Sequence, residues 1–130
     1  MTTETLVFAL TILLALGHIL VMAGIAQTVY SVGELVGPRD DMRDSGSVYF
    51  KRAQRANDNF RETLSWALGL LILVQVTGDA NATTAAGAWI YFWARLAYLP
   101  LYLFGIPWMR TGAWTVSLVG LAMLLIPLFG

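Results

Sequence analysis

No charged side chain interrupts residues 6–32, 63–77 or 111–130, and only Arg95 interrupts residues 82–108. An apolar run of about 18 residues or more reads as a membrane-spanning helix, because in hydrocarbon a helix satisfies its own backbone donors and acceptors. Three of these runs are long enough to cross. The run 63–77 is fifteen residues, which at about 1.5 Å per residue covers only ~22 Å of a hydrocarbon core ~30 Å thick. Its helix must therefore take in further residues. Gly78-Asp79 is a stop signal on one side, so the extension falls on Asp58, Asn59 and Glu62. Ionisable groups drawn below a membrane surface are costly and by default mark a functional site.

Composition agrees with this reading. Of 130 residues, 58% are hydrophobic and 12% charged, about half the charged share of a typical soluble domain. We therefore expect an all-α integral membrane protein: one domain over residues 1–130, with helices at about 5–32, 50–77, 82–105 and 109–129. Residues 33–49 form the one loop of any length. The start, Met1-Thr-Thr-Glu4, is acidic where a cleaved leader would be basic, so the first helix is expected to remain. With no cysteine and a single histidine, His18, the chain offers no thiolate nucleophile and no protein metal site. Nothing in it points to nucleic acid. Any thiol chemistry must come with a substrate.

Formal charge sums to zero but is unevenly placed. Arg39, Arg43, Lys51, Arg52, Arg55 and Arg61 lie between or at the start of the first two spans, and Arg110 lies between the last two. By the positive-inside rule the basic loops face the cytoplasm and both termini lie on the opposite side.

Arg52, Arg55, Asn59, Glu62, Trp66 and Gly69 follow a 3-4-3-4-3 spacing, one stripe of a helix, expected to look inward with Glu62 held ionised among arginines. Solvated or headgroup-directed charge is the plainer alternative and suits Lys51 and Arg61 better. Tyr91, Arg95, Tyr98 and Tyr102 make a second stripe on the third helix, opposite Trp89 and Trp93, which belong at the lipid interface. His18 reads as a packed neutral imidazole hydrogen-bonded to a neighbouring helix. Gly17, Gly24, Ala9, Ala23 and Ala26 are small residues that let membrane helices approach.

Three motifs together resemble the membrane-associated proteins in eicosanoid and glutathione metabolism, the MAPEG family: Arg55-x3-Asn59-x2-Glu62 with Arg52 ahead of it, Arg95-x2-Tyr98-x3-Tyr102, and Arg110 opening the fourth helix. The resemblance implies a four-transmembrane-helix bundle assembling as a homotrimer, with glutathione as co-substrate held between subunits near the cytoplasmic face. By position it assigns Arg52, Arg55, Asn59, Glu62, Arg95, Tyr98 and Tyr102 to binding and Arg110 to stabilising the thiolate, with Thr111 where some relatives place a hydroxyl beside the sulfur. Arginine forks suit the two carboxylates of glutathione, and Glu62 suits its ammonium. The chain departs from the pattern in two places: the first helix ends without basic residues, and Thr63 follows Glu62 where an aromatic is common.

The activity this implies is transfer of glutathione to a lipophilic electrophile, or reduction of a lipid hydroperoxide, with the second substrate entering from the bilayer. The alternative within the family is a non-catalytic lipid-binding or scaffold membrane protein. A small four-helix exporter would need a membrane-embedded carboxylate for its driving ion, and the first helix shows none beyond Glu4 at its start.

Overall fold

The computed structural model describes all 130 residues. The chain forms α1 (Thr3–Val29), a short α2 (Val32–Val36), α3 (Val48–Thr77), α4 (Ala82–Leu103) and α5 (Pro107–Leu125), which closes in a 3-10 turn over Ile126–Phe129. There are no strands. Two helical segments, Thr3–Val29 and Pro107–Phe129, are long and apolar enough to cross a membrane. The 30-residue α3 and 22-residue α4 are also long enough, at about 45 and 33 Å, but each carries polar or charged residues within its length.

Local chemistry sets the helix limits. The first helix stops at Val29, short of the expected 32, because Ser31 and Glu34 form a reciprocal capping box that starts α2 as a separate helix. Ser47 accepts from the Phe50 amide and begins α3 two residues ahead of the expected 50. Gly78, at φ 80°, ends it in the left-handed conformation that a side chain would disfavour. Asn81 caps α4, and Pro107 takes the first position of α5, where its missing N–H is not needed. Pro107 thus opens the fourth long helix two residues ahead of the expected 109, while Pro100 is accommodated inside α4.

In the packing, α3 and α4 form the centre. Helix α1 lies against both, and α5 lies against α4 and, less extensively, α3. The core joins Val7 and Leu14 of α1, Phe60, Leu71 and Val74 of α3, Tyr91 of α4 and Leu124 of α5. Leu13, Leu16, Leu20, Val116 and Val119 remain exposed, an apolar coat that water would penalise and hydrocarbon does not.

The closest helix approach is not at the small residues of α1. A Cβ added at Gly17 or Gly24 would meet nothing within 4 Å. At Gly87 of α4 it would come within 2.7 Å of the Met123 Cβ, and at Gly120 of α5 within 2.7 Å of the Gly87 carbonyl oxygen. The two backbones touch there because neither has a side chain.

Far from the basic loop, Glu4 is buried at the start of α1. Its Oε1 accepts from the Thr84 hydroxyl at 2.6 Å and its Oε2 from the Gln75 amide at 3.3 Å, tying α1, α3 and α4 at one end. Glu4 lies in the first turn of α1, and Thr84 in the first turn of α4, where the positive ends of helix dipoles favour an anion. In the sequence Glu4 reads only as a charge at a helix start.

Candidate functional site

The stripe on α4 turns inward as expected. Tyr91, Arg95 and Tyr98 are buried and Tyr102 half-buried, while Trp93 is 59% exposed. Arg95 is 0% exposed, so it reaches no ligand from solvent. Its Nη1 donates to the Asn59 Oδ1 at 3.0 Å, while Nε and Nη2 have no hydrogen-bonding partner. The guanidinium lies over the rings of Phe60 at 5.4 Å and Tyr98 at 4.7 Å, whose negative faces attract a cation. No carboxylate is paired with it: the two ion pairs of the chain are Arg43–Glu34 and Lys51–Asp44, both in the loop region.

From Arg95 the arrangement continues outward as a ladder. Arg95 lies over the Tyr98 ring, the Tyr98 and Tyr102 rings are 5.5 Å apart, and the Arg110 guanidinium lies over the Tyr102 ring at 4.7 Å. Helical spacing on α4 aligns the two rings, and the tight Gly105 turn brings the start of α5 back beside them. Arg52 holds that turn. Its Nη1 donates to the Leu103 carbonyl at 3.0 Å, and its Nη2 occupies the space a Cβ at residue 105 would fill. The resemblance assigns Arg52 to ligand binding; here its guanidinium caps the carboxyl end of α4, a favourable place for a cation.

At the outer end of the ladder lies a small cavity of about 160 Å³, lined by Asn59, Tyr98, Arg110, Thr111 and Trp114. Four of these five are residues the sequence motifs single out. Trp114, four residues after Arg110 and so on the same helical face, was legible by periodicity alone but belongs to no motif. Because the Asn59 Oδ1 accepts from Arg95, its amide N–H₂ is left for the cavity. The Thr111 hydroxyl donates to the Pro107 carbonyl at 3.0 Å. Toward a sulfur anion it can donate only by giving up that bond.

The stripe on α3 is divided. Asn59 is half-buried, but Arg55, Glu62, Trp66 and Gly69 are exposed, and the face packed into the chain is Ala53, Ala56, Asn57, Phe60, Thr63 and Ala67. The expectation that the whole stripe looks inward is therefore corrected, as is that of an internal Glu62–arginine pair, since Glu62 makes no ion pair. The reason is the buried aromatic Phe60: a helix that turns Phe60 and Thr63 to the core turns Glu62 away from it. Thr63, where relatives often have an aromatic, is buried, with its hydroxyl 3.2 Å from the Tyr91 hydroxyl. His18 is buried and stacked on Phe60 at 4.4 Å, and neither ring nitrogen has a hydrogen-bonding partner, contrary to the expected bond to a neighbouring helix.

An all-helical, apolar-coated chain, with a buried arginine leading through two tyrosines to a second arginine at a small cavity, defines a membrane protein. The chain belongs to the MAPEG family, whose model matches residues 3–130. No curated protein and no solved structure matches it.

Proposed function

We propose that the protein is a glutathione-dependent membrane transferase or peroxidase acting on lipophilic electrophiles or lipid hydroperoxides. The observation that carries this reading is the cavity shared by Asn59, Tyr98, Arg110 and Thr111. Its volume suits a thiol and its methylene but not a tripeptide, since pockets that enclose a whole small ligand run to about 300–1,000 Å³. The rest of glutathione then lies over the exposed face of α3, with a carboxylate on Arg55 and the ammonium on Glu62. That face is open in the single chain. We assign its other wall to a second copy in a homotrimer of four-span subunits, with glutathione between copies.

In this mechanism the sulfhydryl proton passes to water as Arg110 stabilises the anion that remains. The thiolate sulfur then bonds to an electrophilic carbon, and the displaced group or the adduct takes up a proton. With a hydroperoxide the sulfur attacks the outer oxygen, the O–O bond breaks, and the alcohol departs with a proton. A second glutathione then converts the resulting sulfenic acid to the disulfide and water.

The test is the ultraviolet thiolate band at saturating glutathione. Arg110→Ala is expected to lose thiolate and turnover by about a hundredfold, the scale seen when one preorganised charge-stabilising donor is removed, with little change in affinity. Arg110→Lys recovers part of the loss. Thr111→Val loses a few-fold at most, because its hydroxyl is already engaged with Pro107. Unchanged thiolate and turnover in Arg110→Ala would remove Arg110 from the mechanism, and absence of thiolate and turnover in the wild type would favour the non-catalytic alternative.

A further inference from the structure

A second cavity, of about 510 Å³, lies where α1 ends and α3 begins, and it shares no lining residue with the Arg110 cavity. Its inner wall is apolar, made by Met22, Ala23 and Ala26 of α1, Phe50 of α3, and Leu35 and Met42 of the connection between them. From Met22 to Tyr30 is about two turns of helix, so this wall reaches ~12 Å down from the end of α1. Its rim is basic: Arg39, Arg43 and Lys51 line it, against a single acid, Asp44.

The walls are fixed rather than loose. Arg43 Nη2 donates to the Val29 carbonyl at 2.7 Å and its Nε to Glu34 at 2.8 Å, and the Tyr30 hydroxyl donates to the Arg43 carbonyl at 3.1 Å. Lys51 is paired with Asp44 at 3.0 Å. Two of the three cations are thus neutralised by carboxylates. Arg39 has no acidic partner; its Nε and Nη2 are anchored on the Leu35 carbonyl, leaving Nη1 free. Just outside, Asp40, Asp41 and Glu34 line an adjoining depression and would repel a ligand carrying several negative charges.

We infer that this cavity binds an amphiphile with one negative charge and one hydrocarbon chain, its headgroup on Arg39 and its chain against Met22, Ala23 and Phe50. The volume falls within the range of small-ligand sites. Its place at the end of a spanning helix is where a single-chain anion partitions, with head at the surface and tail in hydrocarbon. A free fatty acid and an anionic lysophospholipid share this chemistry. The inference does not depend on glutathione.

The experiment uses the full chain in a neutral maltoside detergent, with the fluorescent polyene fatty acid parinaric acid as probe. Saturable binding is expected with one site per chain. Arg39→Glu should weaken it about tenfold, and Ala23→Phe should abolish it by filling the cavity. Unaltered helical circular dichroism in both variants identifies the effect as local; if Ala23→Phe unfolds, the exposed Arg39→Glu variant decides. Oleate and lysophosphatidylglycerol should each displace the probe, and the one acting at lower concentration names the source. The uncharged oleyl alcohol should compete weakly, and equally well in wild type and Arg39→Glu. Absence of saturable binding, wild-type affinity in Arg39→Glu, or equal displacement by zwitterionic lysophosphatidylcholine would overturn the inference.

Discussion

Arg95 poses an energetic problem that the surrounding residues solve only in part. A guanidinium at 0% exposure with two nitrogens unpartnered retains much of its desolvation cost, since ring faces and one amide oxygen replace a full hydration shell incompletely. Arg95→Met is therefore expected to leave stability unchanged or raise it by about 1–3 kcal/mol, because an apolar chain of similar length removes unmet donors. The same variant should lose thiolate at saturating glutathione, because Asn59 would lose its orienting partner. Thermal melting in detergent and the thiolate band test the two halves separately; a melting point lowered by several degrees would show that the guanidinium is a net stabiliser. The motif Arg95-x2-Tyr98-x3-Tyr102 was legible as a stripe. That Arg95 lies fully buried behind Asn59 and Tyr98 was not, because spacing gives the face of a residue and not its depth.

At the scale of elements, the α4–α5 pair is set by Gly87 and Gly120. Gly120→Ala would place a methyl 2.7 Å from the Gly87 oxygen and the Tyr91 amide nitrogen, both backbone atoms that cannot swing aside. We expect a loss of about 1–3 kcal/mol and, since Arg110 and the tyrosines lie on these two helices, a parallel loss of thiolate. Gly17→Ala should be neutral within about 0.5 kcal/mol; chemical unfolding of the two variants gives the comparison. Small residues in α1 drew attention in the sequence because they cluster, whereas the pair that matters is split between distant helices and becomes visible only once they are paired. The loop after α1 makes a different prediction. Bonds from the Ser31 backbone, then from Arg43, hold the Glu34 carboxyl below its ordinary value, and bonds from the Gly46 backbone, then from Lys51, do the same for Asp44. A lowered folded value means that stabilisation is present above the ordinary carboxylate range and is lost as pH falls through it. Amide exchange over residues 31–47 should accordingly stay constant from pH 7 to about 5, after correction for intrinsic rates, and accelerate below about pH 4. Acceleration already at pH 6 would assign the ordering of this loop to a group other than Glu34 and Asp44.

For the molecule as a whole, the proposed orientation places residues 33–51 and the Arg110 turn in the cytoplasm, with both termini opposite. Cysteines introduced at Asp41 and Thr83, both exposed, should label from opposite sides of sealed cells or vesicles. Labelling of both by an impermeant reagent from one side would refute that topology. Charge placement and apolar runs made the helical plan readable, because solvation by hydrocarbon leaves few alternatives. The outward turn of Arg55 and Glu62 was hidden, since a polar stripe looks the same whether it faces its own chain or a neighbour. Mobile counter-ions screen exposed charges over about 8 Å at physiological ionic strength and can crowd around Arg55, but they have no access to Arg95. Raising salt should thus weaken the hold of exposed Arg55 on a carboxylate of the proposed glutathione more than it lowers thiol ionisation, which rests in that proposal on half-buried Arg110 with the buried charge of Arg95 behind it, so that affinity falls in brine faster than the thiolate fraction does.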